Sequence, residues 1–167
     1  YLSSHIQQTQ SIPLLRVCVI GPPKCGKTRL IQRFQLNSWL SDKYKDSLES
    51  DEEYRKLCII NGKSILFDIK DTQNTHFSIY DVRDIYLLCL NPNDKTGCDK
   101  IIDLFNMMKA LGRGKYINVG LILVVTQCDL LYDNEDDKIT ITKQNIAIAR
   151  KLSKIWNVPY IETSAKE

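Results

Sequence analysis

Apolar runs of strand length alternate along the chain with stretches whose apolar residues recur at helical spacing. Helical faces begin at Lys27, at Ile101 and at Ile148. The polar and acidic residues 41–53 predict a solvated loop between the first helix and the next strand. Strands are predicted at Leu14–Ile20, Tyr54–Ile60, Ser64–Ile69, Ile85–Leu90, Val119–Val125 and Val158–Ile161.

This order of elements predicts an α/β fold, in which a mostly parallel sheet carries helices on both faces. The Asn61-Gly62 pair lies between the second and third apolar runs and is typical of a tight hairpin turn. We therefore expect a single antiparallel pair of strands. Ligands of such sheets bind beyond the carboxyl ends of the strands, so the loops at those ends are the candidate site.

The last helical face is predicted from four apolar side chains at helical spacing. They are Ile148, Leu152, Ile155 and Trp156. Their spacing marks a later helix.

Composition indicates one globular domain over residues 14–167, preceded by a polar, flexible extension at residues 1–13. The 167 residues are 43% hydrophobic and 26% charged, and the net charge of +3 comes without a basic and aromatic cluster. This argues against nucleic-acid binding. No run approaches the roughly 20 apolar residues of a membrane span, and no signal-peptide pattern is present. The six cysteines form no Cys-x-x-Cys pair, so we expect reduced thiols in a cytoplasmic protein and no zinc site.

The sequence GPPKCGKT at residues 21–28 follows the first predicted strand and opens the first helix. Its Gly-x-x-x-x-Gly-Lys-Thr spacing is that of a phosphate-binding loop, in which backbone N–H groups converge on phosphate oxygens. Gly21 and Gly26 allow the close approach, and the Thr28 hydroxyl can bind Mg²⁺. Lys27 is expected to neutralise phosphate charge as a solvated lysine that supports little of the core. Adenylate kinases and ATPases carry similar loops, so this motif alone does not identify the base.

Two later motifs indicate which base the bound nucleotide carries. TQCD, residues 126–129, ends the fifth predicted strand, and the Asp129 carboxylate matches the N1–H and 2-amino donors of guanine. Adenine has no donor at either place. TSAK, residues 163–166, follows the last strand, and the backbone N–H of Ala165 can donate to guanine O6. A site built on such hydrogen bonds rejects a base that leaves its polar groups unpaired.

The segments GPPKCGKT, DIKDT, TQCDL and ETSAK occur in the order, and nearly at the spacing, of the Ras superfamily of small GTPases. The resemblance covers about residues 14–167 and implies a P-loop fold that binds GTP or GDP with Mg²⁺. The metal would be held by Thr28, by Asp71 through water, and by Ser47 of the first switch. The implied nucleotide contacts are Gly21, Lys24, Cys25, Gly26, Lys27, Thr28, Arg29, Thr126, Gln127, Asp129, Leu130, Ser164, Ala165 and Lys166.

The chain departs from the family pattern at the residues that support GTP hydrolysis. The family's Asp-x-x-Gly-Gln, whose Gln orients the attacking water, is replaced by DTQNT at residues 71–75. Thr75 stands in the place of the Gln, with Gln73 as the alternative catalytic candidate, and Asn74 stands in the place of the Gly. Pro23 occupies a position near the γ-phosphate where the family usually has Gly, and proline has no N–H to donate. We expect slow hydrolysis.

Three functions remain open at this stage. The first is a GTP-binding switch that contacts regulators and effectors through its switch loops, and the second is a pseudo-GTPase that works by protein contacts alone. An ATP-dependent kinase is the third, and TQCD and TSAK argue against it. The segment VTQCDLLYD is similar to the GTPases of septation and mitotic exit. The final helix of the fold is expected to be missing from this chain, and any membrane anchor would lie in an absent segment.

Overall fold

The computed structural model of the protein describes residues 11–38, 53–72, 82–111, 120–129 and 136–166. These ranges contain every strand and helix that the sequence pattern predicts. Most bounds differ by a few residues, but the last helix begins at Asp136, twelve residues before the predicted Ile148. In chain order the elements are β1 (Leu14–Ile20), α1 (Lys27–Leu36), β2 (Glu53–Ile60), β3 (Lys63–Asp71), β4 (Ile85–Leu90), α2 (Gly97–Leu111), β5 (Gly120–Val125), α3 (Asp136–Trp156) and β6 (Tyr160–Glu162).

The strands form one sheet in the order β2-β3-β1-β4-β5-β6. All neighbouring strands are parallel except β2 and β3, which are antiparallel. The turn between those two has Asn61 and Gly62 at φ values of 51° and 75°, and two left-handed residues are what a tight hairpin of this kind requires. The mostly parallel α/β sheet with one antiparallel pair is therefore confirmed.

Alternate residues of the strands pack in two separate hydrophobic cores, one on each face of the sheet. Cys18 and Ile20 of β1 point to the face that α2 and α3 cover, where Ile101 is fully buried. Val17 and Val19 point to the opposite face and pack in the core that contains Ile31 of α1. Helices on both faces are thus confirmed, and the two-residue period of the strands explains how one apolar run serves both cores.

The face that carries α1 also has an apolar groove of about 330 Å³. On this face α1 contributes Leu30, Ile31 and Phe34 to the groove, and the rest of the lining comes from β1, β3, β4, β5, β6 and Thr163. Ile161 of β6 belongs to the lining and is 48% exposed. The part of the sheet nearest β6 therefore presents apolar side chains that no described helix covers.

The apolar residues that mark α3 in the sequence are only partly buried. Ile148 and Ile155 are 42% and 65% exposed, whereas Asn145 and Ala149 are buried. The cause is a polar contact that sets the rotation of the helix: Asn145 Nδ2 donates to the carbonyls of Pro92 at 2.8 Å and of Asp94 at 3.0 Å. These bonds turn a polar residue inward and leave two isoleucines at the surface.

All six cysteines lie in the described ranges, and all are thiols rather than disulfides. Four of them are buried: Cys18, Cys25, Cys89 and Cys98. Within the described ranges, no helix combines the length and the apolar character that crossing a membrane requires.

Candidate nucleotide-binding site

The phosphate loop connects the carboxyl end of β1 to the amino end of α1. At Gly21 an added Cβ would lie 2.3 Å from the carbonyl oxygen of Cys89 and 2.8 Å from Cys25 Sγ, so only glycine fits. Gly26 precedes the helix at φ 91°, a conformation that side chains disfavour. The first N–H groups of α1 have no acceptor inside the helix, and they are the expected anion donors.

Lys27 is buried inside the loop, with 7% of its surface exposed. Its Nζ donates to the carbonyl oxygen of Gly21 at 3.0 Å and to that of Pro22 at 3.1 Å. The expectation of a solvated lysine is therefore wrong. The ammonium is held at the bottom of the loop by two carbonyls. Its third contact, to Cys25 Sγ at 4.0 Å, is weak, so a phosphate oxygen can take that donor.

The thiols beside the loop add no negative charge. Burial raises the pKa of the Cys25 thiol, although the nearby Lys27 ammonium opposes that rise. Burial also raises the pKa of Cys89 well above its ordinary value. Both side chains are therefore uncharged at neutral pH, and neither repels a phosphate.

Thr28 and Asp71 meet at the carboxyl ends of β1 and β3. The Thr28 hydroxyl donates to Asp71 Oδ2, and Asp71 is 4% exposed. A hydroxyl and a carboxylate are the hard oxygen ligands that Mg²⁺ prefers, and Mg²⁺ commonly takes its other ligands from water and substrate phosphates. The described residues contain no group of three or more His, Cys, Asp or Glu that could hold a metal alone. The pair fits Mg²⁺ that is bound together with a polyphosphate.

The loop after β5 is tied to the phosphate loop. The buried Thr126 hydroxyl donates to the carbonyl oxygen of Cys25, and it also lies 3.1 Å from that of Leu90. Gln127 adopts φ 54°, and its Nε2 donates to the carbonyl oxygen of Lys24 at 3.2 Å. The loop that carries the base-recognition motif therefore also fixes the bend of the phosphate loop.

The loops after β5 and β6 are joined in turn. Ser164 Oγ donates to Asp129 Oδ1 at 2.8 Å, and the backbone N–H of Lys166 donates to Ser164 Oγ at 3.0 Å. The N–H of Cys128 donates to the carbonyl oxygen of Thr163 at 3.2 Å. These bonds orient the Asp129 carboxylate, because one of its oxygens is held by a neighbour with a fixed position.

The predicted site residues that the structure describes lie at one edge of the sheet, on its loops, in the first turn of α1 and at the end of β3. Those that fall in the described ranges are Gly21, Lys24, Cys25, Gly26, Lys27, Thr28, Arg29, Asp71, Thr126, Gln127, Asp129, Ser164, Ala165 and Lys166. The remaining predicted residues lie outside the described ranges: Ser47, Gln73, Thr75 and Leu130. Asn74 also lies outside them. It takes the place of the glycine in the family's Asp-x-x-Gly motif, which belongs to the second switch and corresponds to DTQNT at residues 71–75.

Sequence reasoning missed two features of this site. The first is the role of Thr126 as a tether of the phosphate loop; its signal was a lone hydroxyl directly after a fully apolar strand. The second is the backbone of Lys24, which adopts φ 62° in the left-handed region. That conformation costs a residue with a Cβ roughly 1–2 kcal/mol. Nothing local in the sequence signals it, since most residues in this conformation are glycine or asparagine.

The comparison with known protein families agrees with this geometry. The model of the Ras family matches residues 16–167, a range that includes the phosphate loop, Asp71, TQCD and TSAK. The match covers far more than half of the chain. Proteins of this family generally bind guanine nucleotides with Mg²⁺ and interact with regulators and effectors. The chain therefore belongs to the Ras family of small GTP-binding proteins.

Proposed function

We propose that this protein binds GTP and GDP with Mg²⁺ and acts as a molecular switch whose intrinsic hydrolysis is impaired. The observation that carries the proposal is the way Asp129 is held: Ser164 Oγ donates to its Oδ1 at 2.8 Å, at the edge of the sheet where the phosphate loop ends. A carboxylate fixed at that place offers acceptors to the two adjacent donors of guanine. Adenine has no such donors, so the carboxylate would keep its bond from Ser164 but lose its pairing with the base, which is a large penalty for a polar site.

Magnesium would be held by Thr28, by Asp71 through water and by phosphate oxygens, and it would neutralise charge on the β- and γ-phosphates. Lys27 would bind the same phosphates from the base of the loop, where two carbonyls already orient its ammonium. Gln127 would lie along one side of the base, and Lys166 would pack on the other. Ser47 would be the third protein contact to the metal.

Impaired hydrolysis is supported by the residues that replace the water-orienting machinery. Thr75 is too short to orient a water as a glutamine does, and Asn74 adds a side chain where the family has glycine. Pro23 removes an N–H beside the γ-phosphate. Intrinsic turnover should be at or below the slow level of the family, on the order of 10⁻⁴ per second.

The nucleotide that co-purifies with the protein tests the function most directly. The protein is denatured, and the released nucleotide is identified by chromatography. GDP would indicate turnover or exchange with cellular GDP, and GTP would indicate a stalled enzyme. If no nucleotide is released and added GTP does not bind, the protein is a pseudo-GTPase that works by protein contacts, and the proposal is wrong.

We also propose that a helix following β6 covers the groove on the α1 face. The support is the lining of that groove, which is almost entirely apolar and includes a half-exposed Ile161. Burying such a surface is favourable by about 25 cal/mol per Å². A chain that carries additional residues after residue 167 should therefore bind less of a hydrophobic dye than residues 1–167 alone, and equal dye binding would contradict this.

Regulators and effectors would contact the switch segments, and a cytoplasmic location is proposed because all six cysteines are thiols. The similarity to the GTPases of septation and mitotic exit stays a prediction. Chemical crosslinking in the GTP state and in the GDP state would test the switch. A partner captured equally in both states would argue for a scaffold instead.

A further inference from the structure

The outer bend of the phosphate loop carries a second lysine. Lys24 is exposed, and its φ of 62° places a residue with a long side chain where glycine is usually required. Gln127 Nε2 donates to the carbonyl oxygen of Lys24 at 3.2 Å, so the loop after β5 holds the backbone at this bend. A fixed backbone with a flexible four-carbon stem allows the ammonium to reach over the loop.

The same bend is short of backbone donors. Pro22 and Pro23 precede Lys24, and neither has an N–H group. Phosphate loops bind anions chiefly through backbone N–H groups, so two of the positions at this bend cannot contribute. A lysine ammonium has three donors and a full positive charge, and it can replace donors that the prolines remove.

The charge at the base of the loop is limited. Lys27 is buried there and shares its ammonium with the carbonyls of Gly21 and Pro22. On the other side of the site Asp71 is negative and buried, and it opposes a polyphosphate unless Mg²⁺ is present. A triphosphate with one Mg²⁺ remains anionic after Lys27 is counted. A second cation at the rim of the loop would neutralise the negative charge that remains on the triphosphate.

We propose that the Lys24 ammonium is a second cationic contact to the polyphosphate of the bound nucleotide and slows its release. This inference rests on the proposed function for its ligand. It explains why a strained backbone conformation is occupied by lysine rather than glycine: the contact with the ligand offsets the strain. It also assigns to this chain a phosphate contact that a glycine at the same position cannot make.

Three substitutions at Lys24 separate charge from backbone strain. Lys24→Met keeps the stem and removes the charge, Lys24→Gly removes both the charge and the strain, and Lys24→Arg keeps the charge. Lys63→Met, at an exposed lysine of the β2–β3 hairpin, is the matched control. Affinity and release rate are measured for fluorescent GTP and GDP with Mg²⁺ at several salt concentrations, and for Mg²⁺-tripolyphosphate by calorimetry. Thermal unfolding of each variant reports folding.

We expect Lys24→Met to weaken GTP binding about tenfold, with faster release and a shallower salt dependence. Lys24→Gly should raise the melting temperature and still lose affinity, a combination that relief of strain alone does not give. Lys24→Arg and Lys63→Met should bind like the wild type. Unchanged affinity of both Lys24→Met and Lys24→Gly would overturn the inference. If Lys24→Met weakens tripolyphosphate binding while the wild type does not prefer guanine, the inference stands and the proposed function falls.

Discussion

The two ends of the nucleotide site are built differently. At the end of the site proposed to bind the guanine base (the base end), a chain of hydrogen bonds at 2.8 and 3.0 Å orients the Asp129 carboxylate. It runs from the N–H of Lys166 through Ser164 Oγ to Asp129. At the phosphate end the loop keeps Lys27, but Pro23 stands beside it where the family usually has glycine. For the proposed function this difference implies that base recognition and turnover depend on separate residues, so that turnover can weaken while base recognition is retained.

The physical reason is that base recognition and the orientation of water serve different states of the reaction. Base recognition is the same before and after hydrolysis, so it contributes to affinity for both GTP and GDP. The groups that orient water act only in the transition state, and their loss lowers the rate without lowering affinity. A chain with an intact base end and an altered phosphate end should therefore bind well and turn over slowly.

Removing the buried lysine of the phosphate end should have the largest effect. Lys27→Ala should weaken GTP binding by about 10²–10³-fold, because it removes a buried cation that contacts phosphate. It should also lower the melting temperature modestly, since the carbonyls of Gly21 and Pro22 lose the ammonium as a donor, although the N–H of Cys25 still donates to Pro22 at 3.3 Å. Titration with fluorescent GTP and a thermal melt measure both effects.

Lys143→Ala, at an exposed lysine of α3, is the matched control and should change neither quantity. Full affinity in Lys27→Ala would show that the loop does not bind phosphate as argued. An unfolded Lys27→Ala would be replaced by Lys27→Met, which keeps the packing of the stem and should lose affinity to the same extent.

A change at the base end should alter specificity rather than abolish binding. Asp129→Asn should weaken GTP about 10²-fold and gain xanthosine triphosphate, because xanthine offers an acceptor where guanine has its 2-amino group. The bond from Ser164 should survive, since the asparagine carbonyl can accept it as the Asp129 oxygen does. Competition assays with GTP, ATP and xanthosine triphosphate measure this.

Asp103→Asn, at an exposed aspartate of α2, should leave the order of the three nucleotides unchanged. Equal binding of ATP and GTP by the wild type would mean that the base end does not select guanine. It would also remove the contrast between the two ends.

The tether between the two ends should have an intermediate effect. Thr126→Val removes the hydroxyl that donates to the carbonyl of Cys25, whereas the carbonyl of Leu90 keeps the backbone N–H of residue 126 as a donor at 2.9 Å. The loss should be about 1–3 kcal/mol of stability, with a several-degree fall in melting temperature. Thr126→Ser should restore most of it, and identical melting of Thr126→Val and the wild type would contradict the tether.

Restoring the second switch should have the smallest effect. Replacing Asn74 and Thr75 together by glycine and glutamine should raise the single-turnover rate a few-fold, since a water-orienting group returns while Pro23 remains. Affinity for GTP should stay near that of the wild type. Wild-type protein, free of contaminating phosphatase, that hydrolyses GTP far above about 10⁻⁴ per second would refute impaired hydrolysis and implicate Gln73.

Much of the fold and the motif positions followed from local patterns. The run Leu14–Ile20, the turn at Asn61 and Gly62, and the phosphate loop are each determined by a few adjacent residues. Strand period, turn chemistry and glycine spacing act over short distances, so the sequence alone predicted them. The same holds for the chemistry of Asp129, whose carboxylate matches guanine wherever the loop is placed.

Other features depended on contacts between segments far apart in the chain, and only the tertiary structure determined them. Thr126 reaches Cys25 across 101 residues, and Gln127 reaches Lys24 across 103. The burial of Lys27, the left-handed bend at Lys24 and the exposed Ile155 of α3 likewise follow from what packs beside them. Sequence periodicity gives the apolar side of an element, but the partners of its polar groups set its rotation and burial, because each buried donor or acceptor must find a hydrogen bond.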